Sequence, residues 1–349
     1  MDVNNRVAII GTGLIGRSWA IVFAGGAFDV ALYDVGLDIA EQARGLVAQG
    51  LSDLAEQGLV NDPKAAAARV RVAANLADAL DAADLVQESL PESIETKRSI
   101  FSELDRLAAP EAILASSTST IVASLFTESL KGRHRCLVAH PVNPPHLIPL
   151  VELVGAPWTA PEIVAKAKAI YQAVGQAPII VKREIEGFIL NRLQAVLLSE
   201  AFRLVEGGYV TPQDLDKTLK DGFGLRWSFM GPFETIELNA PGGIPDYCRR
   251  YGASLSALSA ANPGDLRRRE PRPYPGAMGE GLDARSGRGA HALARSQACR
   301  AQAPQSLPTG LSDNGVRALL PCLQRSLSQE CAPNAVAVAF TVPQTIPRL

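Results

Sequence analysis

Apolar and polar positions divide the first 180 residues into short apolar runs and longer amphipathic ones. The stretch "RVAIIGTGLIGRSWAIVFAGG" at 6–26 passes from a β-branched run through glycines into a helical pattern, and "FDVALYD" at 28–34 follows as a second strand. That is a β-α-β unit. "ADLVQES" (83–89), "AILASSTST" (112–120) and "RCLVAHPV" (135–142) read as further strands, each ending in polar residues. Helical segments at 93–109 and 121–130 lie among them. "LVELVG" (150–155) and "APIIVK" (177–182) flank a helix at 161–174, after which the strand signal stops. From Gly187 the pattern "GFILNRLQAVLLSEAFRLVEGG" reads as one long helix, and "TPQDLDKTLKDG" as another with Thr211 as N-cap and Pro212 in first position.

This alternation predicts an α/β fold: an N-terminal Rossmann-type, doubly wound, mostly parallel sheet over 1–185, followed by an all-helical C-terminal domain over 186–262. Residues 263–349 differ in character. From Asp265 onward there is no lysine, eleven arginines and an excess of Pro, Gly, Ser and Ala without helical or strand period. Such a composition fits a disordered natural tail. It also fits a reading-frame shift in a GC-rich gene; a coding sequence with no alternative frame encoding an amphipathic ending downstream of codon 264 would rule that out.

Composition narrows the partners. The 349 residues carry 34 basic and 36 acidic side chains, a net charge of -2, so no large basic face is expected for nucleic acid. No apolar run approaches membrane-spanning length, and Val7 to Ile10 follows no basic leader, so the cytoplasm is the expected compartment. The five cysteines, Cys136, Cys248, Cys299, Cys322 and Cys331, show no CxxC pair and no metal-ligand spacing with the four histidines; free thiols and no metal are expected.

Gly11, Gly13 and Gly16 form GxGxxG directly after a strand and at the head of a helix. The glycines permit a tight turn, close approach of a pyrophosphate and close helix–strand packing, while the amides around Leu14 and Ile15 hold the phosphates. Asp34 ends the next strand, where a carboxylate meets a ribose 2'-hydroxyl and repels a 2'-phosphate. The expected cofactor is NAD. The alternative is an unoccupied turn of the same shape.

Four later polar residues sit where packing alone does not ask for them. Ser119 ends the strand from Ala112, where ligands bind in an open parallel sheet, although it could equally cap the next helix. His140 ends the following strand; a packed, hydrogen-bonded histidine is the plain alternative. Glu152 lies within "LVELV" on the face of Leu150 and Val154, where a charge needs a partner. Asn191 lies on the long helix on the side of Phe188, Ala195 and Leu198, where a buried amide must find hydrogen bonds. Together they supply one chemistry. Oxidising a secondary alcohol with NAD needs a base near working pH, a carboxylate to orient it, and two neutral groups to hold the substrate oxygen: His140, Glu152, Ser119 and Asn191 in turn.

"SSTST", "VAHPVNPPHLIPLVELV", "GFILNRLQ" and "GPFETIELNA" resemble the 3-hydroxyacyl-CoA dehydrogenase family, and within it the L-gulonate 3-dehydrogenase or lambda-crystallin branch. The likeness runs from about residue 5 to about 260. It implies His140 as base, Glu152 as its partner, and Ser119 and Asn191 as substrate-oxygen ligands. It further implies Asn143 as an active-site residue, Glu92 and Lys97 at the nicotinamide end of the cofactor site, and a homodimer formed through the helical domain. Two substrate classes stay open, acyl-CoA thioesters and free hydroxy acids. Arg226, in "DGFGLRWSFMGPFE", is a planar fork suited to a small carboxylate, and equally to a surface salt bridge. Lys64 is the only lysine between residues 45 and 75 to meet CoA phosphates. Both lean toward a free L-3-hydroxy acid such as L-gulonate. The alternatives are a short-chain L-3-hydroxyacyl-CoA dehydrogenase and a crystallin-like structural protein.

Overall fold

The computed structural model describes residues 5–258. The tail, with its frameshift reading, lies outside them, as do Cys299, Cys322 and Cys331.

One unit of the chain runs to Ile189 and is built on a sheet of eight strands. The strands are β1 (Arg6–Ile10), β2 (Asp29–Tyr33), β3 (Val70–Val72), β4 (Leu85–Glu88), β5 (Ile113–Ser116), β6 (Cys136–Pro141), β7 (Leu150–Gly155) and β8 (Ala177–Val181). Their order is β3-β2-β1-β4-β5-β6-β7-β8. The chain winds outward from β1 to β3, then restarts at β4 on the other side of β1, so the topological switch point lies between β1 and β4. Along β1, Val7 and Ile9 pack into one apolar cluster and Ala8 and Ile10 into a second. Period-two alternation thus buries both faces, as a doubly wound sheet requires.

Seven helices of this unit are α1 (Leu14–Gly25), α2 (Leu37–Glu56), α3 (Pro63–Ala68), α4 (Leu76–Leu80), α5 (Ile94–Leu107), α6 (Ser124–Thr127) and α7 (Pro161–Ala173). Several start at side-chain caps: Asp62, Asn75 and Ser93 each accept from a backbone amide of the first turn.

The sheet is parallel except between β6 and β7. Residues 142–149 join those two strands, too few for the crossover a parallel pair needs, so the chain turns back on itself. β3 has no counterpart in the hydrophobic pattern because Arg71 interrupts its three residues. The helix expected over 121–130 is confined to Ser124–Thr127, and Ser119 is not its cap: Ala123 occupies that position with no side-chain cap.

The second unit begins at Leu190 and comprises α8 (Leu190–Glu206), α9 (Pro212–Lys217), α10 (Leu225–Trp227), α11 (Pro232–Asn239) and α12 (Gly243–Leu258). Thr211 caps α9 by accepting from the Asp214 amide, with Pro212 first in the helix as the sequence predicts. A π-helical stretch, Thr218–Gly224, links α9 to α10. α8 starts three residues later than the pattern from Gly187 suggests, because Gly187 and Phe188 both take positive φ, 72° and 48°, and turn the chain first.

Candidate active site

The turn between β1 and α1 has the shape of a phosphate cradle. Gly11 takes φ +91°, and a Cβ there would meet the Ser89 carbonyl oxygen at 2.8 Å. At Gly16 an added Cβ would come within 1.9 Å of the Gly11 carbonyl, so no larger residue fits. Around Gly13 nothing lies within 4 Å of a Cβ position, and Gly13 opens α1 with no side-chain cap. The first-turn amides are therefore available to an anion. The Gly11 amide donates to the Tyr33 carbonyl at 2.9 Å, tying the cradle to the end of β2. Asp34 follows at once. Its Oδ2 accepts from the Thr12 amide at 2.8 Å and the Thr12 hydroxyl at 2.7 Å, and its Oδ1 accepts from the Val35 amide at 2.8 Å. The carboxylate is thereby fixed beside the glycine turn, and these residues fit a dinucleotide with a free 2'-hydroxyl.

The antiparallel register sets His140 directly opposite Glu152. His140 Nδ1 lies 2.8 Å from Glu152 Oε2, and Glu152 Oε1 accepts from the Ile189 amide at 2.8 Å. Glu152 is fully buried and His140 nearly so, at 6% exposure. A carboxylate at Nδ1 selects the tautomer with hydrogen on that nitrogen, leaving Nε2 as the basic position. The Phe188 ring, wholly buried, packs 5.3 Å from the imidazole between centroids.

Glu92, placed by resemblance alone, gathers the loop after β5. Its Oε1 accepts from the hydroxyls of Thr118 at 2.6 Å, Thr120 at 3.0 Å and Ser119 at 3.3 Å, and from the amides of Thr120 at 3.0 Å and Ser119 at 3.1 Å. Burial on its own would raise the Glu92 carboxyl, but the Thr118 hydroxyl, the Lys97 charge and Thr120 together bring it below the usual glutamate value. Ser119 is thus held by Glu92 in a loop beyond β5 instead of capping a helix.

Lys97 lies behind Glu92, with its Nζ 4.0 Å away. Its ammonium is 1% exposed and donates to both oxygens of Glu88, at 3.1 and 3.0 Å. Glu88 also accepts from the Ser116 hydroxyl at 2.5 Å and the Leu90 amide at 2.6 Å. Sequence reasoning missed Glu88; its place as the last residue of a fully buried strand, nine residues before a lysine, was the available signal. Asn143 and His146 lie on the 142–149 connection. Burial lowers the His146 imidazole to about 4, and its Nδ1 is buried without a partner.

Asn191 and Arg226 belong to the helical unit. Asn191 stands in the first turn of α8 and is half-buried, not enclosed as the sequence pattern suggests, because α8 has no buried residue. Arg226 in α10 is exposed and forms no ion pair among the described residues. Among the described residues no group of His, Cys, Asp and Glu is arranged to hold a metal ion, and no helix is long and apolar enough to cross a membrane.

A glycine cradle at the switch point, an acidic residue at the end of β2 and a buried histidine–carboxylate pair at β6 and β7 define a Rossmann-type, NAD-binding oxidoreductase. Residues 6–185 match the profile of the 3-hydroxyacyl-CoA dehydrogenase NAD-binding domain, and residues 187–263 that of the 3-hydroxyacyl-CoA dehydrogenase C-terminal domain. The chain belongs to the 3-hydroxyacyl-CoA dehydrogenase family and is an NAD-dependent enzyme acting on CH–OH groups. It is 43% identical over 261 residues to the lambda-crystallin homolog of Mus musculus, covering 74% of this chain and 82% of that one. It is 38% identical over 249 residues to the L-carnitine dehydrogenase of Pseudomonas putida, covering 71% and 77%. The solved structure of 3-hydroxybutyryl-CoA dehydrogenase from Escherichia coli K12 superposes with a TM-score of 0.60 at 28% identity, covering 73% of this chain and 53% of that one. The C-terminal match ends at residue 263, where the composition changes.

Proposed function

We propose that the protein oxidises the 3-hydroxyl of a small L-3-hydroxy acid of the L-gulonate kind to the 3-oxo acid, with His140 as general base. The observation that carries this reading is the buried 2.8 Å contact between His140 Nδ1 and Glu152 Oε2. NAD, when bound, supplies the hydride acceptor. His140 Nε2 takes the hydroxyl proton, and Glu152 stabilises the imidazolium that forms while holding the ring's orientation. Because Ile189 N engages the other carboxylate oxygen, Glu152 cannot swing away from the imidazole without breaking a second bond. Ser119, steadied through Glu92, is assigned to the substrate oxygen and Asn143 to the site's rim. The sequence pattern carries Asn191 as the second oxygen ligand and Arg226 as the carboxylate ligand. Glu92 and Lys97 are assigned to the nicotinamide end.

Arg226 and the single lysine between residues 45 and 75 favour a free hydroxy acid over a CoA thioester. A short-chain hydroxyacyl-CoA is the second reading, favoured by the likeness to 3-hydroxybutyryl-CoA dehydrogenase. NADH formation with L-gulonate and with L-3-hydroxybutyryl-CoA separates them: turnover of the thioester alone would overturn our choice. We further assign the protein to the cytoplasm and its working state to a homodimer; the dimer is supported by apolar side chains exposed along α8, with Leu193 at 67%, Val196 at 68% and Phe202 at 63%.

A further inference from the structure

A hydrogen-bonded chain runs beneath the ends of β4 and β5, and none of its members has a role in the chemistry above. The Ser117 hydroxyl has three neighbours: Trp19 Nε1 at 3.1 Å, Gln87 Nε2 at 2.7 Å and Ser89 Oγ at 2.9 Å. The indole N–H can only donate. Gln87 is oriented by Tyr171, whose wholly buried hydroxyl has no other hydrogen-bond partner among the described residues and donates to Gln87 Oε1. That leaves the amide nitrogen to donate toward Ser117. Ser117 Oγ therefore accepts twice, both lone pairs are filled, and its own proton goes to Ser89 Oγ. Ser89, in turn, keeps a proton for which no acceptor exists among the described residues.

Position decides what that proton is for. Ser89 follows β4 and its amide donates to the Ile10 carbonyl at 2.8 Å, so it stands at the switch point beside the glycine turn. Ligands of open α/β sheets bind in this crevice. Asp34, at the end of β2, marks the adenosine side; β1 carries the phosphate cradle; β4 lies on the far side of β1 from β2. We propose that Ser89 is a cofactor ligand, its hydroxyl donating to a ribose or phosphate oxygen in the nicotinamide half of NAD. Trp19, Gln87, Tyr171 and Ser117 are the positioning residues that compel it to donate.

Titration of NADH and of AMP into the full chain tests this, with protein fluorescence as readout and no turnover needed. Ser89→Ala is expected to weaken NADH binding about fivefold to tenfold, as loss of one hydrogen bond does, and to leave AMP affinity unchanged. Ser89→Thr, which keeps the hydroxyl, is expected to hold NADH within about twofold of the parent. Where the alanine variant does not fold, Ser89→Cys, with its weak donor, takes its place under the same expectations. Parental NADH affinity in the alanine or cysteine variant overturns the proposal. So does an equal loss of AMP, which would mean that Ser89 only shapes the turn, or a threonine variant as weak as alanine.

Discussion

At the scale of residues, Glu152 uses one carboxylate oxygen on His140 and the other on the Ile189 amide. Glu152→Gln keeps the size but removes the charge that favours imidazolium, and its amide nitrogen can turn toward Nδ1 and reverse the tautomer. Turnover should fall at least about a hundredfold with NADH affinity retained; turnover within about threefold of the parent would refute the pairing. Lys97 makes a different kind of prediction. Its ammonium and Glu88 are both out of water, so Lys97→Met strands a buried carboxylate and should cost about 3–5 kcal/mol in urea unfolding. Converting both partners, Lys97→Met with Glu88→Leu, should recover part of that loss. A single Lys97→Met variant as stable as the parent would show that the pair is solvated.

At the scale of elements, the connection between β6 and β7 carries its own pH dependence. Burial holds His146 neutral, at about 4 against an ordinary value of 6.5. The unfolded chain therefore binds the extra proton first, and stability falls as pH drops from about 6.5 toward 4, by at most about 3 kcal/mol. Denaturant midpoints across that window should flatten in a His146→Leu variant; equal slopes in both proteins would contradict the burial. The strands on either side of this connection were legible in the sequence because apolar runs of four to six residues ending in polar groups are a strong signal. The antiparallel pairing of β6 with β7 was not read from the sequence, whose alternation with helices pointed to a parallel neighbour, although the eight residues between them are too few for a crossover. β3 and the true start of α8 were not legible: three residues around Arg71 carry no period, and the positive φ of Phe188 belongs to a residue type that rarely adopts it. In the site, the glycine fingerprint, Asp34, His140 and Glu152 stood out by residue type and place. Glu88, Gln87, Ser117 and Tyr171 did not, since their partners lie 9 to 98 positions away in sequence.

At the scale of the whole molecule, the apolar positions left open along α8 make the oligomeric state testable. If α8 forms the proposed dimer interface, the parent should sediment as a dimer in analytical ultracentrifugation and the Leu193→Asp, Phe202→Asp variant as a monomer; a monomeric parent or an unchanged dimer would contradict that interface. In the proposed reaction one imidazole, that of His140, moves the proton while the rest of the molecule holds cofactor and substrate. The most direct measurement is NADH formation by His140→Ala beside its NADH dissociation constant. Turnover is expected to fall by about a hundredfold to ten-thousandfold, with NADH affinity within about twofold of the parent. Turnover within about threefold of the parent, in a variant that still binds NADH, would contradict it.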